Sequence, residues 1–480
     1  MKWTEKYFYD TLLYEKIIQN KVIDFGNQEI EIVGFTNDTI ELINCHIIAG
    51  KIRFKDIDNQ DLSIRFINCN IEAKLKFENC KFENLEFRNI SNLKSLRLDK
   101  GYNFNDDDIT MLNRFYFLYD KEISSSLHTD FYFKECSFGR EFLFRDIKQE
   151  SGTFIFELNT IGNSDLEGNN IRHYFNITNS ILNNVCFHKN NFLSTFLINE
   201  CTFNYKDITT LKYTSTTFSL NKFSKIAFQN SNFNDKTLFG RCQFMDMAYF
   251  ENIENIENSE LKFSDCQFDQ YTTFTRAKIS NFSIEKSVFQ NIVSFQDTRF
   301  KTIKIDKPHF DKLAYFDGIQ IDEIDKCDRR TVRTIKQQLQ KADNKIDYNR
   351  FRAYELAAYY RELEWTWKDG KDKFILGATW LVTGFDHSWR RAVGFTICSG
   401  FAWYSVLYFS KFHGSFDFSK INNYFTGAFR FFLVTDFSSP FKDKGDYLDN
   451  ALLWVPLILG KIFIAFGIYE MIQAFRKFKA

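Results

Sequence analysis

The chain has 480 residues, and its 62 Lys+Arg balance its 62 Asp+Glu; Phe occurs 58 times, Gly 20 times and Pro three times. This composition, 44% hydrophobic, excludes a disordered or collagen-like chain. Zero net charge excludes the global basic footprint of a nucleic-acid binder, so nucleic acid is not an expected partner.

The chain opens MKWTEKYFYDTLLYEKIIQN. It lacks the basic start and continuous apolar run of a secretory signal. Tyr7, Leu12, Tyr14, Ile17 and Ile18 suit an amphipathic helix of about Thr4 to Asn20, which makes residues 1–23 a capping helix. The ten Cys include no CxxC pair, and the seven His form no HExxH cluster. Metal clips place ligands a few residues apart, so neither a metal nor a cofactor is expected. The cysteines fit a reducing compartment.

Residues 24–325 carry a five-residue step. Phe218, Phe223, Phe228 and Phe233 follow it, as do Phe77, Phe82 and Phe87, and Ile177, Leu182, Phe187, Phe192 and Leu197. A step of five fits neither the helical period nor strand alternation, and is the mark of a solenoid. A Cys or Ser often stands two places before the large residue, as in Cys69, Cys80 (before Phe82), Ser231 (before Phe233), Cys242 (before Phe244) and Cys266 (before Phe268). In extended backbone these two positions point to the same side, so both face inward. The expected repeat core includes Cys69, Cys80, Phe82, Phe138, Phe228, Phe233, Cys242, Phe244, Cys266 and Phe268.

On strings such as FENCKF, FKECSF, FGRCQF and FSDCQF, the chain resembles the pentapeptide-repeat family. That resemblance implies a mainly β fold: a right-handed quadrilateral parallel β-helix. At just over 20 residues per coil and about 4.8 Å between coils, it implies about 13 coils and about 60 Å. Cys45 and Cys69 are 24 positions apart, as are Cys242 and Cys266, so each pair stacks in neighbouring coils. A redox or metal column is one reading of these cysteines; a reduced, apolar core residue is the favoured one. Segments from Gly101 and from Tyr205 break the step and read as insertions, the first helical with Asp106, Asp107 or Asp108 as N-cap. Open solenoid ends expose strand edges, so the N-terminal helix and a helical region from Asp328 are the expected caps.

Residues 326–373 read as a helical linker. Val332, Ile335, Leu339 and Ala342 recur at helical spacing among Arg329, Arg330, Arg333, Lys336, Lys341 and Lys345. A hairpin with solvated charges is the favoured reading; contact with anionic headgroups is the alternative. Residues 374–480 read as a membrane module. Residues 392–410 hold no charge and residues 451–469 hold one, each stretch being 19 residues long. Each is close to the hydrocarbon thickness of about 30 Å. A pair of buried helices in a soluble domain is the alternative. FILGATWLVTGF from Phe374 is too short to span and is expected along the inner surface. Arg390 and Arg391 before the first span, and Arg476, Lys477 and Lys479 after the second, place both ends in the cytosol. The expected location is the bacterial inner membrane, multi-pass, with the N-terminal domain and C-terminus cytosolic.

Between the spans, AFRFFLVTDFSSP, followed by ALLWVPLILGKIFIAFGIYEMIQAFRKFK, resembles the ion-channel-like domain that some pentapeptide-repeat proteins carry after a helical linker. The filter position reads Val434-Thr435-Asp436-Phe437-Ser438-Ser439, without a potassium filter's glycines, so potassium selectivity does not carry over. Candidate pore or membrane-charge residues are Thr435, Asp436, Ser438, Ser439 and Lys461. A charge near mid-span costs at least about 2.5–3.5 kcal/mol, so Lys461 either faces a pore, pairs with a carboxylate such as Asp436, or snorkels to headgroups. Gly460 and Gly467 permit close helix packing. The first expectation is an oligomeric two-span channel- or pore-like module coupled to the solenoid, with membrane lipid and copies of itself as partners. The alternatives are a membrane-tethered scaffold for an unidentified protein partner, and a topoisomerase-binding DNA mimic. No catalytic motif is present, so no enzyme activity is expected.

Overall fold

A computed structural model describes the chain except residues 1–2, 35–36, 100–109, 121–125, 205–214, 235, 256–257, 386–387, 413–420, 442–447, 449 and 477–480. It divides into two compact units, Met1–Cys327 and Asp328–Ala480.

The first unit is a parallel β-solenoid of about 12 turns, close to the number the repeat length suggested. Its described strands form two sheets of 17 and 21 strands, every named pairing parallel, as in Thr39–Ile43 beside Asp58–Ile67. Each coil is two extended halves joined at corners in the left-handed region. One column of such corners is Asn44, Asn68, Asn89, Asp146, Lys189, Leu220, Arg241, Asp265 and Lys286. The other includes Asp56, Asn79, Glu135, Leu158, Asn179, Glu200, Asn230, Asn252 and Asp297. Asn and Asp tolerate this conformation better than other non-glycine residues, which explains their frequency here. Each half bends again where its pairing register shifts, as between Ile48 and Lys51 or between Phe138 and Glu141. Five residues per side is thus the distance from corner to bend.

The large residues of the five-step stack from coil to coil. Phe192, Phe223, Phe244, Phe268, Phe289 and Phe310 form one column, with successive ring centroids 5.3, 5.5, 4.4, 4.5 and 5.2 Å apart. Phe228, Phe250, Phe274, Phe295 and Phe316 form another, at 5.4, 5.0, 5.0 and 4.8 Å. Offset stacking adds to the burial of each ring.

Helix α1 (Glu5–Glu15) is shorter than expected, and Ile17–Gln19 is already a strand paired with Thr39–Ile43. Thr4 caps it by accepting from the Tyr7 amide at 3.2 Å. Phe8 and Leu12 are buried, with Phe8 edge-on to Phe25. Glu5 Oε1 accepts from the edge amide of Glu31 at 2.9 Å, and Asn37 Nδ2 donates to the Leu13 carbonyl at 2.7 Å. Glu5 thus partners one amide of the strand edge, and Asn37 closes the open C-terminus of the helix. The expected helical insertion is corrected in part: Thr110–Leu118 is a strand, paired with Lys81–Arg88 and Cys136–Arg145. Phe115 and Phe117 are buried there, so the apolar alternation of RFYFL outweighed the capping signal. Asp106, Asp107 and Asp108 lie outside the described residues.

The second unit is helical: α2 (Arg329–Lys341), α3 (Lys345–Glu362), α4 (Gly370–Thr383), α5 (Trp389–Lys411), α6 (Ile421–Phe432) and α7 (Ala451–Arg476). Asp328 caps α2, accepting from the Thr331 amide at 2.6 Å. Three basic residues of α2 meet α3. Arg333 and Lys336 meet Glu355 at 2.8 and 2.6 Å, and Arg329 lies 3.9 Å over the Tyr359 ring. Burial raises the Glu355 carboxyl, but the hydrogen bonds from Lys336 and Arg333 outweigh it and hold the group below its ordinary value. Both α5 and α7 are long and apolar enough to cross a membrane.

Candidate functional site

The candidate membrane-charge residues come together where α6 ends between α5 and α7. Three glycines make room for that end. A Cβ at Gly400 would strike the Phe432 ring, one at Gly460 would strike Phe431, and one at Gly427 would strike the Tyr404 hydroxyl. A Cβ at Gly467 would strike Thr396, which brings α5 and α7 together directly. Tyr404, Leu407, Ala428, Phe431, Leu457 and Ile464 are buried among one another as the core of this junction. Ser405 on α5 and Tyr424 on α6 share a 2.7 Å hydrogen bond between hydroxyls.

Lys461 is only 3% exposed. Its ammonium donates to the carbonyl oxygens of Phe431 at 2.7 Å and Leu433 at 2.5 Å, and lies 5.3 Å from the Phe431 ring centroid. These carbonyls belong to the C-terminal turn of α6, where backbone oxygens lack intrahelical partners and the helix dipole is negative. Lys461 thus caps a helix, a role the sequence reading did not consider. The signal lay in the adjacent Gly460, which lets the α6 terminus approach α7. The same device recurs twice. Lys373 Nζ donates to the Leu363 carbonyl closing α3 at 2.6 Å, and Arg391 donates to the Trp380 carbonyl near the end of α4 at 3.2 Å.

The turn after α6 holds the remaining candidates. Asp436 accepts from the Ser438 hydroxyl and, at 2.9 Å, from the Ser438 amide, with Arg430 4.0 Å away. The Ser438 hydrogen bonds are the main reason its carboxyl is held below the usual range. Ser439 is buried and accepts from the Phe441 amide at 3.3 Å; Thr435 is exposed. No family model matches the chain. No curated protein and no solved structure matches it.

In the solenoid, Cys69, Cys80, Phe82, Phe138, Phe228, Phe233, Cys242, Phe244, Cys266 and Phe268 are all buried. After many of the left-handed corners the next residue is a small inward one, giving one column through Asn169, Asn190, Asn221, Cys242, Cys266 and Ser287. A second column runs through Cys136, Asn159, Ser180, Cys201 and Ser231. Side-chain oxygens in one coil accept backbone amides from the coil before. Asn169, Asn190 and Asn221 accept from the amides of Ile147, Asn169 and Asn190 at 3.0, 3.0 and 2.9 Å. The thiols donate to carbonyls instead: Cys69 to Leu42 and Cys242 to Phe218, both at 3.2 Å. Burial pushes the Cys80 and Cys201 thiols up to about 12. The Cys69 thiol is raised by its hydrogen bond with Cys45 and by burial. Thiols held protonated in this way are poor nucleophiles and poor ligands, which fits the core reading. Among the described residues, no three His, Cys, Asp or Glu side chains cluster as metal ligands.

The outer surface of the solenoid is laced with opposite charges on successive coils. Arg65 meets Glu41 at 2.8 Å and Glu86 at 3.6 Å. Glu285 sits between Lys262 and Lys304 at 2.7 and 2.8 Å, and those hydrogen bonds hold its carboxyl down at about 2.

Proposed function

We propose that this chain is a membrane-anchored pentapeptide-repeat scaffold, with a right-handed solenoid displayed in the bacterial cytosol for a protein partner. A solenoid joined to two helices of membrane-spanning length and composition fits a membrane-associated repeat protein. The observation favouring anchoring over conduction is Lys461. A half-helix that serves cation passage needs open oxygens at its end. Here the Phe431 and Leu433 carbonyls are taken by an ammonium from the same chain. The alternating charges, such as Lys262–Glu285–Lys304, argue against the continuous acidic face of a DNA mimic.

An oligomeric channel is the second reading, favoured by the order of long helix, half-helix and long helix in α5, α6 and α7. Ion flux from liposomes holding the full-length protein separates the two. The anchor reading expects flux equal to that of empty liposomes, and expects a chain ended at Cys327 to leave the membrane fraction. Wild-type flux that changes in Lys461→Met, from a particle whose mass is a ring of subunits, would replace it with the channel reading.

A further inference from the structure

An apolar groove of about 690 Å³ lies between α4, α5 and α7 of the helical unit. That volume falls in the range of small-ligand sites. Phe374, Ala378 and Leu381 of α4 form one wall, and Phe395 of α5 with Phe463 and Phe466 of α7 form the other. Phe374 and Leu381 are exposed although apolar, so α4 presents surface that no described part of the chain covers.

Two features choose the occupant. The groove has one charged group in its lining, Lys373, which also donates to the Leu363 carbonyl at 2.6 Å and lies 5.4 Å from the Trp365 ring. An ammonium has three donors, so this mouth suits a phosphate oxygen. The depth is also informative. Phe395 lies six residues into α5, about 9 Å from its start. Phe463 is near the middle of α7. The groove therefore covers the half of the α5–α7 pair that begins at Arg390 and Arg391, the depth of one leaflet, about 15 Å.

We infer that this groove holds one acyl chain of a bilayer phospholipid, with the lipid phosphate at Lys373. The exposed Trp365 and Trp367 mark the headgroup level beside it. The inference rests on reading α5 and α7 as membrane spans.

The test uses full-length protein in vesicles of phosphatidylethanolamine and phosphatidylglycerol. A tracer phosphatidylcholine carries a diazirine at the end of one acyl chain, and labelled peptides are mapped by mass spectrometry. Phe395, Phe463 and Phe466 are expected to take up at least about fivefold more label than Ile397 and Leu459, which are exposed outside the groove at a similar depth in α5 and α7. Ala378→Trp, which fills the groove, is expected to bring that label down to the Leu459 level. Lys373→Glu lowers it and Lys373→Arg restores it. Uniform labelling, label indifferent to both Ala378→Trp and Lys373→Glu, or a cross-link to a second copy of the chain in the groove would overturn the site while leaving the spans intact. Protein that does not float with the vesicles would overturn the reading of the spans and this inference together.

Discussion

Asn190 shows how one inward side chain holds three coils. Its Nδ2 donates to the Leu166 carbonyl at 2.6 Å, and its Oδ1 accepts from the Asn169 amide and side chain at 3.0 and 2.9 Å. Its own amide donates to Asn221 Oδ1. Asn190→Ala strands a buried amide and a buried carbonyl, each costing about 1–3 kcal/mol, so a loss of about 3 kcal/mol is expected. Asn190→Cys should cost less, because the thiol of Cys242, in the same column, does donate to a carbonyl. Urea midpoints of the three proteins check the order; equal midpoints for wild type and Asn190→Ala would show that the ladder adds nothing. The sequence placed small residues inward but not this exchange, because an amide's partner depends on which coil lies next to it.

At the scale of elements, the α6 junction is built from absences. Gly400, Gly427 and Gly460 leave room that Phe432, Tyr404 and Phe431 occupy. Gly460→Val is expected to displace Phe431 and pull the carbonyls of Phe431 and Leu433 away from Lys461. Overpacking costs about 1–3 kcal/mol, and the unpaired ammonium adds to it. A melting temperature lowered by several degrees in detergent is the expected readout, and an unchanged one would refute the packing account. Gly460 and Gly467 were legible in the sequence as close-packing positions. The role of Lys461 was not, because a cap is defined by the helix it closes, and that helix lies 28–30 residues away.

For the whole molecule, the solenoid is a one-dimensional solid in which each coil meets its neighbours. Phe244 stands in the middle of a column, between Phe223 and Phe268. Phe244→Ala should cost about 3–5 kcal/mol. Its effect should be local: amide exchange is expected to quicken in Lys222–Gln229, Gln243–Phe244 and Gln267–Phe268 before it does in Glu29–Val33. Uniform quickening along the chain would show that the rod unfolds as one cooperative block. The five-residue step made this architecture readable, since identical inward slots impose identical coils. The strand at Thr110–Leu118 escaped because the acidic run before it imitates a helix start.

The sequence alone determined the repeat, the inward identity of Phe and Cys, and the two long apolar stretches. All three depend on local periodicity and composition, which each segment carries within itself. Only the tertiary structure decided which corners turn left-handed, which amide meets which asparagine, and that Lys461 closes α6. Those outcomes depend on groups far apart in the chain meeting at hydrogen-bond distance, and no local pattern encodes that proximity.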